Sequence, residues 1–175
     1  MSRAAAVVTG VDSRQSRPFR PGARLGIDVG SVRIGVAACD ASAMLAVPVE
    51  TVRRADDGAS TRDDLRRIAA LVGERDAIEV VVGLPLSMNG TRGTAARAAL
   101  AYAVDIAFAV APVPVRVVDE RLSTVTAHGQ LGAAGVASRA RREVVDQAAA
   151  VIILQSALDA ERSSGRVPGE LVTAP

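Results

Sequence analysis

The sequence predicts an α/β fold, a mixed five-stranded sheet with helices on both faces, and three observations predict it. Short runs rich in Val and Ile alternate with longer segments of helical periodicity. The first three strand candidates follow one another without a helix, whereas the later ones are separated by helices, the pattern of a meander continued by crossovers. The chain has 175 residues, 49% of them apolar, enough for one domain with a substantial core.

The elements follow in order. Residues 1–23 carry Arg, Ser and Pro, with Pro18 and Pro21 closing the stretch, and read as a disordered basic extension. The ordered domain is expected over 24–162, with a polar tail at 163–175. Leu25–Val29 and Arg33–Cys39 are strands joined by the hairpin turn Gly30-Ser31-Val32. Ala46–Val52 is a third strand, and Pro48, which has no N–H, marks it as an edge or gives it an irregular start. Ser60 or Thr61 is expected to cap the first helix, with Asp63 and Asp64 in its first turn and Leu65, Ile68, Leu71 and Val72 on one face. Ile78–Val82 is a buried strand leading into the loop 83–90. Thr94–Val110 is an Ala-rich helix, stopped by Pro112 and Pro114 ahead of the fifth strand, Val115–Val118. Ser123 or Thr124 caps a further helix ending near Leu131. A loop over 132–141 then precedes a last helix over 142–162.

Composition excludes several functions. All 21 basic residues are Arg, so neither a phosphate loop built on Lys nor a Schiff-base Lys is available. Genomic base composition explains such a bias; Arg also suits bidentate phosphate contacts. One Tyr, two Phe and no Trp leave almost nothing for base stacking, so a nucleic-acid partner would be gripped through its phosphates. The net charge of +2 conceals an asymmetry: five Arg against Asp12 give residues 1–24 a charge of +4, and the remainder carries −2. A basic arm of this kind is either a solvated tail or a grip on an anionic partner. No apolar run approaches a membrane span and no secretory h-region is evident, which suggests a cytoplasmic protein. Cys39 is the single cysteine; it is either a buried thiol or, if surface-exposed, the link of a disulfide-bonded homodimer.

Three carboxylates stand where carboxylates are costly. Asp28 interrupts the strand Leu25-Gly26-Ile27-Asp28-Val29-Gly30. Glu120 follows Val115-Arg116-Val117-Val118 in Asp119-Glu120-Arg121-Leu122-Ser123-Thr124, and Asp146 opens the helical run Val144-Val145-Asp146-Gln147-Ala148-Ala149-Ala150. Alternation puts Asp28 on the face opposite Ile27 and Val29. If the strands ending at Val29 and Val118 are neighbours, Asp28 and Glu120 meet near the sheet centre and the last helix can add Asp146. Asp119 points away from Glu120 while the segment stays extended.

Four blocks resemble, in order, the motifs of the YqgF/RuvX family. They are residues 25–37 (Leu25-Gly26-Ile27-Asp28-Val29-Gly30-Ser31-Val32-Arg33-Ile34-Gly35-Val36-Ala37), Gly83-Leu84-Pro85-Leu86-Ser87-Met88-Asn89-Gly90, Asp119-Glu120-Arg121-Leu122-Ser123-Thr124 and Val145-Asp146-Gln147-Ala148-Ala149-Ala150-Val151-Ile152-Ile153-Leu154-Gln155-Ser156. The resemblance covers about residues 24–160 and implies a ribonuclease H-like fold related to the RuvC resolvases. It implies a metal-dependent nuclease, an endonuclease in the favoured reading. Such an enzyme would process the ends of pre-16S ribosomal RNA, resolve Holliday junctions, or do both.

Carried over, the resemblance makes Asp28, Glu120 and Asp146 the catalytic, metal-binding acids. Phosphodiester hydrolysis needs an activated water and charge neutralisation at the leaving oxygen, which a pair of divalent ions supplies. Hard carboxylate oxygens favour Mg²⁺ or Mn²⁺. Asp28, on the most rigid strand, is the expected bridge. The partner would be structured RNA or branched DNA, held through its phosphates.

Several residues could contact that backbone. Ser87, Asn89 and Arg92 lie in a loop that opens a helix, which is either an ordinary turn or a phosphate cradle. Arg139, Arg141 and Arg142 precede Asp146 as either a clamp or a solvated loop, and Arg33 and Arg121 flank two of the acids. His128 reads as a surface residue or a proton shuttle. Two other readings share the fold. An actin-like nucleotide-binding module would resemble the chain at Ile27-Asp28-Val29-Gly30 but needs two such domains, and a non-catalytic nucleic-acid-binding module has no use for three acids.

Overall fold

A computed structural model describes residues 7–9, 19–56, 59–87, 90–120 and 139–173, with the backbone alone at 7–9 and 139–144. The strands are β1 (Val7–Thr9), β2 (Arg24–Val29), β3 (Arg33–Cys39), β4 (Ala46–Arg53), β5 (Glu79–Leu84), β6 (Val115–Asp119) and β7 (Glu170–Thr173). The helices are α1 (Asp63–Glu74), α2 (Thr94–Val110) and α3 (Arg139–Ser164). Among the described residues the strands form one mixed sheet in the order β1-β7-β6-β5-β2-β3-β4. β2, β5 and β6 run parallel, and β3, β4 and β7 are antiparallel to their neighbours.

Strand alternation sorts the side chains onto two faces. Leu25, Ile27, Ile34, Val36, Val80, Val82, Val115 and Val117 form one apolar layer with α1 and α2. Helical spacing supplies the other half of that layer, with Ile68, Leu71 and Val72 from α1 and Ala99, Tyr102, Ala103 and Ile106 from α2. On the opposite face Ala37, Cys39, Val81 and Val118 meet Ala150, Ile153, Leu154, Ala157 and Leu158 of α3. Helices therefore cover both faces, as the sequence predicts.

Five of the seven strands are those expected. β1 and β7 are additions, found in the segments read as extension and tail. Val7–Thr9 pairs with Leu171–Thr173, and β7 in turn pairs with β6. Runs of three and four residues are too short to show a period of two, so only pairing with the exposed edge of β6 defines them. Three helix boundaries also differ. α1 begins at Asp63 with Arg62 in the cap position and no capping side chain, while the Thr61 hydroxyl donates to Asp63 at 3.3 Å instead. α3 begins at Arg139, so Arg139 and Arg141 belong to a helix rather than to a loop, and it runs on to Ser164. No helix among the described residues is long and apolar enough to cross a membrane.

Close approach of α3 to the sheet depends on missing side chains. A Cβ added at Gly26 would lie 2.8 Å from the Ala150 carbonyl oxygen, and one added at Gly35 would collide with the Asp146 carbonyl. These obstacles are backbone atoms, which cannot step aside. Gly35→Ala is therefore expected to destabilise the fold by about 3 kcal/mol, the upper end of overpacking costs, and to lift the Asp146 turn off β3. A urea melt of the variant at fixed pH checks this, and an unchanged midpoint would refute it.

At the other end of the parallel strands lies an ionic cluster. Glu79 and Glu161 are buried, and so is Arg24 at 1% exposure. The Arg20 guanidinium donates to Glu161 at 2.7 Å and to Glu79 at 2.9 Å, Arg24 donates to Glu161 at 3.2 Å, and Arg116 donates to Glu79 at 3.0 Å. Phe19 lies between the guanidiniums of Arg24 and Arg162, 5.5 and 4.9 Å from its centroid. Phe19 and Arg20, read from sequence as part of a loose tail, thus join the end of α3 to the start of β2 and β5. Glu161→Ala leaves Arg24 buried with half its compensation and should cost roughly 3–5 kcal/mol in a denaturant melt. A loss below about 1 kcal/mol, the usual worth of an exposed pair, would contradict this reading.

Candidate active site

Asp28 sits one residue from the end of β2 and lies across the hairpin from Gly35. It therefore shares a face with Gly26 and Gly35, the face that α3 covers. Gly35 in turn faces the Asp146 backbone, which brings the start of the described part of α3 to Asp28. Glu120 arrives from a third direction. β6 pairs with β5 through Gly83↔Val118 and Leu84↔Asp119. A Cβ added at Gly83 would collide with the Glu120 carboxylate and with Ile153, so this glycine makes the space in which Glu120 lies over the sheet. Gly83 comes directly after Val82, the register partner of Ile27, and so borders Asp28.

The acids feel one another. Burial first, and then the charge of Asp146, push the Asp28 carboxyl up to about 6. Burial, then Asp28, then Asp119, push Glu120 up to about 7. Two carboxyls so placed resist being charged together, so both stay protonated to higher pH than free side chains do. Asp146 is tied by Arg33, whose Nε donates to Oδ2 at 2.6 Å with both side chains partly exposed. Among the described residues no three such side chains stand close enough to grip one ion as they are.

The three acids expected from sequence are thus gathered by β2, the end of β6 and α3. Asp119, the last residue of β6, borders the same cavity as Glu120, and its charge adds to the pressure on the Glu120 carboxyl. Ser87 uses its hydroxyl to close its own loop, 2.6 Å from the Thr91 hydroxyl and 2.9 Å from the Thr91 carbonyl. Arg92 donates to Glu170 at 3.0 Å, bridging that loop to β7. Asn89, Arg121 and His128 lie outside the described residues, as do the side chains of Arg139, Arg141 and Arg142. Cys39 is 4% exposed, with Sγ facing the Gly22 and Arg24 carbonyls, so it is the buried thiol and offers no surface for a disulfide to a second copy.

What the sequence reading missed is the part played by glycine. Gly26, Gly35 and Gly83 interrupt strands on the face that carries Asp28. An isolated glycine in a strand signals close backbone approach, which was a usable clue to the helix that covers this face.

The chain matches the family model RuvX, described as Holliday junction resolvase, over residues 22–160. It is similar to proteins named "Putative pre-16S rRNA nuclease". That of Kineococcus radiotolerans is 54% identical, across 90% of this chain and 81% of its own. That of Streptomyces coelicolor is 53% identical, across 91% and 93%, and that of Thermobifida fusca 54%, across 88% and 98%. Among solved structures, T. thermophilus RuvC in complex with Holliday junction substrate superposes with a TM-score of 0.55 over 84% of this chain and 99% of that one. At 17% identity this likeness is one of fold, the ribonuclease H-like α/β architecture.

Proposed function

From a chain that belongs to the RuvX family of Holliday junction resolvases, a family of nucleases, we infer an enzyme that hydrolyses phosphodiester bonds in structured nucleic acid at Asp28, Glu120 and Asp146. The observation that carries this reading is geometric: three carboxylates from separate elements reach one face of the sheet, with Asp28 between Glu120 and Asp146 and repelled by or repelling each of them. A protein gains no stability from such an arrangement, since each charge opposes the next. Raised pKa values clustered in this way are characteristic of functional sites.

The donor set fits hard divalent cations, Mg²⁺ or Mn²⁺, in a two-metal site: every group is a carboxylate oxygen, and Asp28 carries an unfavourable charge contact with each of the other two. When bound, such ions activate water and neutralise charge on the leaving oxygen. The protein's own part is positional. Asp28, fixed on a central strand, is the group able to face both neighbours and is the proposed bridge. Glu120 completes one side over Gly83, and Asp146 completes the other from α3. Arg33 holds Asp146 through its Nε and lies close enough to the acids that it would also serve a phosphate oxygen bound beside them. Arg121, Arg139, Arg141 and Arg142, with Asn89, are the proposed contacts to the nucleic-acid backbone, while Arg92 and Ser87, engaged with Glu170 and Thr91, shape their own loop.

Processing of a ribosomal RNA precursor in the cytoplasm is the favoured role, on the strength of relatives named for pre-16S rRNA. Junction resolution needs two coordinated cuts and hence a symmetric homodimer, which would have to form without Cys39. The test is cleavage of 5′- and 3′-extended 16S precursor and of a four-way DNA junction, each with and without Mg²⁺ or Mn²⁺. Cutting of the precursor that depends on metal and is lost in Asp28→Asn, Glu120→Gln and Asp146→Asn supports the reading. Cutting that survives all three substitutions sinks the site.

A further inference from the structure

A cavity of about 600 Å³ opens beside Glu120, where the ends of β5 and β6 and the beginning of β7 meet α3. Its size is that of a small-molecule site, for which roughly 300–1,000 Å³ is usual. Leu84, Leu86, Ile153 and Pro168 supply apolar walls. Asp119, Asp159, Glu170 and Ser156 add polar groups around them.

This lining selects a class of occupant. Four carboxylates line the cavity; Arg92 pairs with Glu170 and Arg162 pairs with Asp159, which leaves the lining with an acidic excess that disfavours phosphate. Carboxylates accept hydrogen bonds and do not donate them. The complementary group is flat and largely apolar, with N–H donors on its edge, and that describes a nucleobase with an exocyclic amino group. Position supports the same occupant. Glu120 belongs both to the cavity and to the acid cluster, so a phosphodiester held at the acids leaves the base of an adjacent nucleotide at the cavity mouth. With no aromatic side chain in the lining, a base would be held between aliphatic walls instead of being stacked.

We propose that this cavity is a subsite for an unstacked nucleobase flanking the scissile phosphodiester, favouring adenine, cytosine or guanine over uracil or thymine. The proposal rests on the assignment of Asp28, Glu120 and Asp146 as the cutting site. It makes the enzyme a reader of single-stranded or distorted segments, because a base inside a duplex cannot enter.

The test uses short single-stranded RNAs with 2-aminopurine scanned through each position, mixed with full-length Asp28→Asn protein. Fluorescence should rise severalfold at one or two adjacent positions as that base leaves its stack. Ala160→Phe fills the cavity from an exposed position on α3, and Ser156→Tyr does so independently. Added to Asp28→Asn, either should remove the rise while overall affinity and its salt dependence stay within about twofold, since phosphate contacts dominate binding. An abasic nucleotide at the same position should slow cleavage by otherwise native protein about tenfold, in line with the worth of one bound base. The subsite is overturned if no position brightens, or if the rise persists in both filled variants. Failure of the cutting assignment looks different: Asp28→Asn then cleaves as fast as native protein, while the fluorescence scan still decides whether a base enters the cavity.

Discussion

Asp28→Asn is expected to abolish phosphodiester cleavage, by more than about a hundredfold, in a protein that is more stable than the native one at pH 8. The two effects share one cause. Outer-shell partners of metal ligands already contribute 10- to 100-fold, so loss of the proposed ligand between the other two acids should exceed that. In the same position the native carboxylate is partly buried and repelled by Asp146, and desolvation first and that charge second hold its pKa near 6. Above that pH its ionised form is a cost of folding, on the order of 1–3 kcal/mol. Asparagine has almost the same shape and carries no charge, so the cost disappears with the activity. Asp63→Asn, at an exposed helix start, is the control, with stability within about 0.5 kcal/mol of native and cleavage unchanged. Urea melts and single-turnover cleavage measure both quantities. An active Asp28→Asn protein would remove Asp28 from the site, and an inactive but destabilised one would reassign the acid to a structural role.

The second large effect is on pH dependence. In a chelator, native stability should fall as pH rises from about 4 to about 7. The direction follows from the shifts: both carboxyls titrate higher when folded, Asp28 from 3.8 to about 6 and Glu120 from 4.5 to about 7. The folded state therefore favours their protonated forms. That contribution is complete below the unfolded values and is lost as pH passes through the folded ones. The combined loss should be on the order of 3 kcal/mol after allowance for solvent screening. Thermal melts at pH 5 and pH 8, compared with those of Asp28→Asn/Glu120→Gln, isolate it from other titrations. Mg²⁺ or Mn²⁺ should raise the melting temperature more at pH 8 than at pH 5, because carboxylates bind cations only when deprotonated. Cleavage should increase across pH 6–7 for the same reason. Equal metal-induced shifts at both pH values would contradict the three-acid site.

Legibility in the sequence varied with the length of the signal. Leu25–Val29, Arg33–Cys39 and the helix Thr94–Val110 were readable because each carries a run of apolar residues with a clear period. β1 and β7 were not, since a strand of three or four residues is defined by its pairing and not by its own composition. Phe19 and Arg20 looked like a solvated basic arm because nothing local reveals that Glu79 and Glu161, 59 and 141 residues away, would be buried against them. The cavity was invisible for a similar reason, as its walls come from β5, β6, α3 and the approach to β7.

Alternation and motif order alone determined that Asp28 faces away from the Leu25–Ile27 core layer and that an acid follows the fifth strand. They also determined that a third acid begins the covered part of the last helix. These are local facts, dictated by the period of two in a strand and by the cost of a carboxylate among apolar neighbours. Only the tertiary structure decided that the three meet, through the register that sets Gly35 beside Asp28 and Gly83 beneath Glu120. It alone decided that Asp119 and Glu120 border one cavity and that Arg33 restrains Asp146. The physical reason is that carboxylate repulsion and close helix approach depend on separations of a few ångströms between residues distant in sequence. Those separations are fixed by packing and leave no trace in any one segment.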